Sequence, residues 1–135
     1  MAQKRDVLDQ LNSVSDRLST QVRTVALGIL ALTWGLLVGD SAAAKDISSH
    51  WRGNLVALGG LAVLVMFLDF LQYVAGYHNV RALQEKMEKE SLEEVSFDDT
   101  SWSWKLRLFF FHAKQWALAI NVTWLLTVLS LWLLN

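Results

Sequence analysis

The feature that most constrains this chain is a set of three long segments with almost no charge. Residues 24–39 carry none, residues 53–80 carry one, and residues 115–135 carry none. A bilayer core needs about 20 apolar residues per helix, with a range of roughly 17–25. The second and third segments meet that length, and the first reaches it with the small residues after it. We predict an all-α membrane protein with three transmembrane helices.

The prediction treats residues 1–135 as a single membrane domain with cytoplasmic helical extensions of the first two spans. The first half of this domain is predicted to comprise a cytoplasmic amphipathic helix (1–21), a first span (22–41), an outer loop (42–52) and a second span (53–77). The second half comprises a cytoplasmic helix (78–95), a loop plus interfacial helix (96–113) and a third span (114–134).

Two other interpretations of the apolar segments fit the sequence less well. A soluble helical bundle would need polar outer faces, whereas residues 124–134 are apolar on every side. The first span could also be the apolar part of a cleaved signal peptide, because Ala42, Ala43 and Ala44 follow it. The 22 residues before it are long and mixed in charge, so we expect this helix to be retained.

The basic residues predict an orientation. Ten of the 12 Lys and Arg residues lie in residues 1–23 and 78–114, and the remaining two are Lys45 and Arg52. Under the positive-inside rule the first two regions are cytoplasmic. We therefore expect the N-terminus inside and the C-terminus outside.

Apolar residues recur at helical spacing in both predicted cytoplasmic helices. This pattern resembles a narrow heptad seam. Two readings stay open: the stripes pack on each other within one chain, or they also form the seam of an oligomer. The seam residues are Val7, Leu11, Val14, Leu18, Val80, Leu83 and Met87.

Bulky aromatic residues alternate with basic ones just before the third span. Asp99, Thr100 or Ser101 could cap this helix. The mixture is typical of a helix lying at the headgroup level of a membrane. The residues expected to contact lipid headgroups are Trp104, Lys105, Arg107, His112, Lys114 and Trp116.

Small residues share one side of the first span: Gly28, Ala31, Gly35 and Gly39. Such a side lets helix backbones approach closely, because packing drives helix association in lipid. The pattern does not say whether the partner helix belongs to the same chain.

Asp69 is the one charged residue within the second apolar segment. Inserting an aspartate at a helix centre costs about 2.5–3.5 kcal/mol, so its side chain should face protein or water. Counting depth along the three spans predicts a polar layer of Asp69, Gln72, Asn121, Thr33 and Thr123. Three roles stay open for Asp69: a clamp of helix register, a pore-lining group, or a proton relay. The relay is disfavoured because we expect no second ionisable group within the membrane to which a proton could pass.

The residues indicate no enzyme. We find no catalytic arrangement, expect no cofactor and no metal site, and see no nucleic-acid signature. His78 and His112 leave open a haem-bearing membrane subunit. The expected partners are membrane lipids, further copies of the chain and a cytoplasmic protein.

The order of amphipathic helix, two spans and cytoplasmic helix over residues 5–95 resembles SLATT-type effectors. These are small membrane proteins of prokaryotic conflict and antiviral defence systems, and the resemblance implies an oligomeric pore. A third span departs from their two-span pattern. Our first hypothesis is a homo-oligomeric, channel-like or membrane-perturbing effector. The alternative is an accessory subunit whose cytoplasmic helices dock a larger complex.

Overall fold

A computed structural model describes residues 4–90 and 101–135, and all of its regular structure is helical. Helix α1 is Lys4–Val38, α2 is Ala42–Glu90 and α3 is Trp102–Leu134. Each helix is long and apolar enough to cross a membrane. The prediction of an all-α protein with three such helices is confirmed.

The turn between α1 and α2 is shorter than predicted. The loop expected at residues 42–52 is wrong, because α2 begins at Ala42 and is broken only at Trp51, where φ is −120° and ψ is 16°. The backbone N–H of Ala44 donates to the hydroxyl of Ser41 over 3.1 Å, which starts this helix. Ala44 and Ile47 lie three residues apart and are both buried, so the segment before the break has an apolar side of its own.

Helix α2 lies between the other two. It packs along both α1 and α3, whereas α1 and α3 contact each other much less. The core is formed by residues that recur every three or four positions on each helix. Its members include Val22, Ala26, Ile29, Leu58, Ala62, Val65, Leu125 and Val128.

Helix α3 is continuous from Trp102 to Leu134, so the separate interfacial helix predicted before the third span is wrong. No Gly or Pro interrupts these residues, and nothing in the sequence forces a bend. Ser101 is the N-cap and accepts from the backbone N–H of Trp104 over 3.2 Å. The hydroxyl of Ser101 also donates to Asn79 Oδ1 over 3.4 Å. The alternative caps Asp99 and Thr100 lie outside the described residues.

The predicted seam is only partly buried. The four α1 residues, which are Val7, Leu11, Val14 and Leu18, are exposed. On α2, Val80 is exposed while Leu83 and Met87 are half-buried. The interpretation that the two stripes cover each other within one chain is therefore wrong. Helix α2 is described as far as Glu90, so residues 91–95 of the predicted cytoplasmic helix lie outside the described part.

Candidate functional site: a buried carboxylate between two cations

Asp69 continues the buried row of α2. Leu58, Ala62, Val65 and Asp69 follow one another at spacings of four, three and four, and all four are buried. That spacing places them on one face of the helix. The carboxylate therefore points between α1 and α3 rather than outwards.

Three side chains from the neighbouring helices meet this carboxylate. Lys114 Nζ of α3 donates a short hydrogen bond to Asp69 Oδ1 and a second one, of 2.7 Å, to Ser19 Oγ of α1. Arg23 Nε of α1 lies 3.1 Å from Asp69 Oδ2. We call these four residues the Asp69 cluster. It joins all three helices at one level.

Burial differs across the Asp69 cluster. The side chain of Lys114 is 0% exposed and that of Asp69 is 3% exposed, whereas that of Arg23 is 48% exposed. Two cations around one carboxylate give a formal charge of +1. A fully buried ammonium is tolerated only when it is paired and hydrogen-bonded, and Asp69 and Ser19 meet both conditions.

Aromatic rings complete the surroundings of both cations. The guanidinium of Arg23 lies 5.5 Å from the centre of the Tyr73 ring, and Lys114 Nζ lies 5.5 Å from that of Phe111. Both distances fall within the range of a cation–π contact. The rings surround the cluster with apolar surface, which strengthens its charged hydrogen bonds.

The cluster corrects two sequence-based expectations. Lys114 was expected at the lipid headgroups, and that is wrong because its ammonium is buried against Asp69. The expectation that the spans hold no second ionisable group fails for the same reason. Lys114, Leu118, Asn121, Leu125 and Val128 share one face of α3 at helical spacing, and this pattern could have placed Lys114 inward.

The predicted polar layer does not form around Asp69. Asn121 Nδ2 donates instead to the carbonyl of Leu58 over 3.3 Å. The hydroxyl of Thr33 donates within α1, to Ile29 O over 2.9 Å and to Leu30 O over 3.0 Å. Thr123 is exposed and donates to Ala119 O over 2.8 Å. The predicted layer was wrong because long basic side chains reached Asp69 from the ends of the neighbouring spans.

Gln72 is buried one turn after Asp69, but no hydrogen bond joins the two residues in the described structure. Its Oε1 atom has no hydrogen-bond partner among the described residues. Gln72 lines a groove between α1 and α3, together with Trp104 and Arg107. The remaining predicted headgroup residues, Lys105, His112 and Trp116, are exposed.

The small-residue side of α1 packs on nothing within the described chain over most of its length. Gly28, Ala31 and Gly35 are exposed, and a Cβ built at either glycine would meet no described atom within 4 Å. Gly39 differs, because a Cβ there would lie 2.5 Å from Gly35 O and 3.0 Å from the Ala44 side chain. Gly39 thus serves the turn into α2, while the other three leave an open surface.

Across residues 4–90 and 101–135, no three His, Asp or Glu side chains gather as a metal site would require. Comparisons with protein-family models, curated proteins and solved structures find no match for the chain. The site is therefore interpreted from its own geometry. Each oxygen of Asp69 contacts a cation, and all three helices contribute side chains: Ser19 and Arg23 from α1, Asp69 from α2 and Lys114 from α3. Such an arrangement suits a clamp that fixes helix register.

Proposed function

We propose that this chain is a non-enzymatic integral membrane protein that acts as a homo-oligomer, forming a pore or otherwise perturbing the bilayer. In this proposal residues 24–39, 53–68 and 115–135 cross the hydrocarbon of a bacterial inner membrane, with the N-terminus in the cytoplasm. Each of the two shorter segments has 16 residues, which span about 24 Å as helix. The Asp69 cluster then lies at the inner edge of the hydrocarbon.

The outward surface of the three helices supports a membrane location. Exposed residues of the charge-free segments are mostly large and apolar, among them Leu27, Leu32, Trp34, Val56, Val63, Phe67, Ile120 and Leu126. A soluble monomer rarely exposes continuous apolar surface of this kind. Polar side chains such as Asn121 and Thr33 face inwards instead.

The observation that supports a homo-oligomer is the open small-residue side of α1. Gly28, Ala31 and Gly35 lie on the opposite side of α1 from the row that packs on α2, which includes Ala26 and Ile29. Within lipid, surfaces of small residues favour close helix–helix contact. A second copy of the chain is the partner that we propose for this surface.

A pore in this proposal requires several copies. Within one chain, Asp69 and Lys114 neutralise each other and are buried among the three helices, so they are not available to line a water path. The clamp instead makes each chain a rigid unit for assembly. The resemblance to SLATT-type effectors, which implies an oligomeric pore, favours the same reading.

The test replaces Gly28 and Gly35 together by leucine and compares this variant with Ala119→Leu. Ala119 is an exposed small residue on α3, so both variants add apolar bulk to open surface and keep the monomer fold. We expect the double variant alone to be monomeric in nanodiscs and to lose ion flux from liposomes. Unchanged subunit number and flux would refute the proposed interface.

A monomeric wild-type chain would overturn the homo-oligomer and favour the second candidate, an accessory subunit. One observation supports that candidate: the exposed apolar stripe of α1, including Val7 and Leu11, extends beyond the segment proposed to lie in the membrane. A larger partner could cover it by helix-in-groove docking.

A further inference from the structure

We propose that the groove between α1 and α3 binds one anionic phospholipid of the inner leaflet. The groove has a volume of about 450 Å³, which lies in the range of roughly 300–1,000 Å³ typical of ligand sites. Its walls are apolar: Leu11, Val14 and Leu18 of α1 face Trp104, Leu108 and Phe111 of α3. We call this the α1–α3 groove. The inference rests on the membrane orientation of the proposed function, but not on the oligomer.

The groove lies beyond the Asp69 cluster, where residues of α1 and α3 line it on opposite sides. Ser19 and Lys114 hold the two helices together over 2.7 Å at the closed end. Leu18, next to Ser19, and Val14 and Leu11, about one and two turns further along α1, remain exposed. Apolar surface is left open on both walls, and it extends from the level of the Asp69 cluster towards the predicted cytoplasmic side.

Among the described residues that line the groove, one is charged, and its charge is positive. Arg107 faces it, and no described carboxylate pairs with this guanidinium. Its Nε would lie 3.7 Å from a Cβ built at Gly76, which is about 10 Å along α2 from Asp69. Arg107 therefore lies at the height expected for lipid phosphates when the Asp69 cluster marks the inner edge of the hydrocarbon. Guanidinium binds phosphate oxygens bidentately.

The floor of the groove offers a second polar contact. Gln72 lines the groove and is 5% exposed, and its Oε1 accepts no hydrogen bond from the described residues. A buried amide oxygen without a partner is costly, so a polar group of the ligand would stabilise it. Rotating the amide by 180° exchanges donor and acceptor, which allows it to meet either an ester carbonyl or a hydroxyl of the lipid.

Charge and shape favour a lipid over a second copy of the chain. A two-fold symmetric contact through this groove would bring two Arg107 side chains together, and none of the described lining residues is acidic. A lipid matches both the charge and the apolar walls of the groove, with its phosphate on Arg107 and the first part of an acyl chain against Leu18 and Phe111. Basic pockets between helices on the cytoplasmic side are typical sites for anionic headgroups.

The test counts lipids bound to the purified chain by native mass spectrometry from nanodiscs of mixed phosphatidylcholine and phosphatidylglycerol. We expect one retained phosphatidylglycerol per chain. Arg107→Gln should weaken that retention by at least about tenfold, because a charge-assisted hydrogen bond is lost. Lys105→Gln is the matched control, since Lys105 is exposed on the same helix outside the groove, and it should retain the lipid.

A second variant keeps the charge and closes the groove. Val14→Trp fills it from an exposed position and should also displace the lipid, while the helical circular dichroism spectrum stays unchanged. Equal loss in the Arg107 and Lys105 variants would overturn the site in favour of diffuse attraction. Retention in the Val14 variant would overturn it as well. Cross-linking of two chains through the groove, with no lipid retained, would make the occupant a second copy. The same spectra report subunit number separately, so failure of the oligomer and failure of the lipid site are distinguishable.

Discussion

Helices α2 and α3 are joined by polar contacts at several levels, and two of these levels differ in charge and in burial. At the Asp69 cluster a carboxylate of α2 meets a buried ammonium of α3. Near the other end, Asp46 Oδ2 accepts from the indole N–H of Trp132 over 2.8 Å, and Asn54 Oδ1 accepts from that of Trp124 over 3.1 Å. These outer hydrogen bonds are exposed. The comparison shows that the surroundings of a carboxylate, rather than its presence, decide what it contributes.

Because the inner contact is buried, it is stable only when all of its partners are present. Lys114 is buried with no access to water, so it depends on Asp69 and Ser19 for its hydrogen bonds. Removing one partner of a buried pair leaves an uncompensated charge, whereas an exposed group finds water instead. The contacts at the inner level should therefore determine the register of α2 against α3, and the outer hydrogen bonds should add little to its stability.

The largest effect is expected from Asp69→Ala. We predict a loss of about 3–5 kcal/mol in the free energy of unfolding, because Lys114 stays buried without its counter-ion. Asp46→Ala is the matched control, since it removes a carboxylate from the same helix at an exposed position, and it should cost less than about 1 kcal/mol. The measurement is the loss of helical circular dichroism during titration with denaturing detergent. Similar costs for the two variants would contradict the clamp.

A double variant sharpens the same comparison. Replacing Asp69 by leucine and Lys114 by methionine removes both buried charges and puts apolar side chains in their place. Such exchanges of buried ion pairs are often neutral or stabilising, so we expect the double variant to be more stable than either single variant. Arg23 stays half-exposed and can be solvated. Unfolding free energies of the four proteins form a double-mutant cycle, and additive losses would show that the pair is not coupled.

The sequence predicted the helices better than it predicted the site. Charge-free segments and helical periodicity identify three long apolar helices, because both patterns are local. The partners of Asp69 are not local, because Arg23 and Lys114 flank apolar segments far from it in the sequence. The sequence predicts Lys114 at the lipid headgroups and Arg23 only as one of the cytoplasmic basic residues. Long side chains and the antiparallel register bring them to one carboxylate in three dimensions. Counting depth along each span separately placed Asn121 beside Asp69 instead. Such a count takes no account of the length of lysine and arginine side chains.

The smallest effect is expected from Trp132→Phe at the outer level. The change removes the indole N–H that bonds Asp46 and keeps most of the aromatic surface. Since Asp46 is exposed, water replaces the lost donor, and the cost should stay within about 1 kcal/mol. Trp116→Phe is the control, because that indole is exposed on the same helix and donates no hydrogen bond in the described part of the chain. Equal unfolding free energies for the two variants would mean that the outer hydrogen bond adds nothing. A loss as large as that of Asp69→Ala would mean that both levels hold the register of α2 against α3, and the distinction between them would not stand.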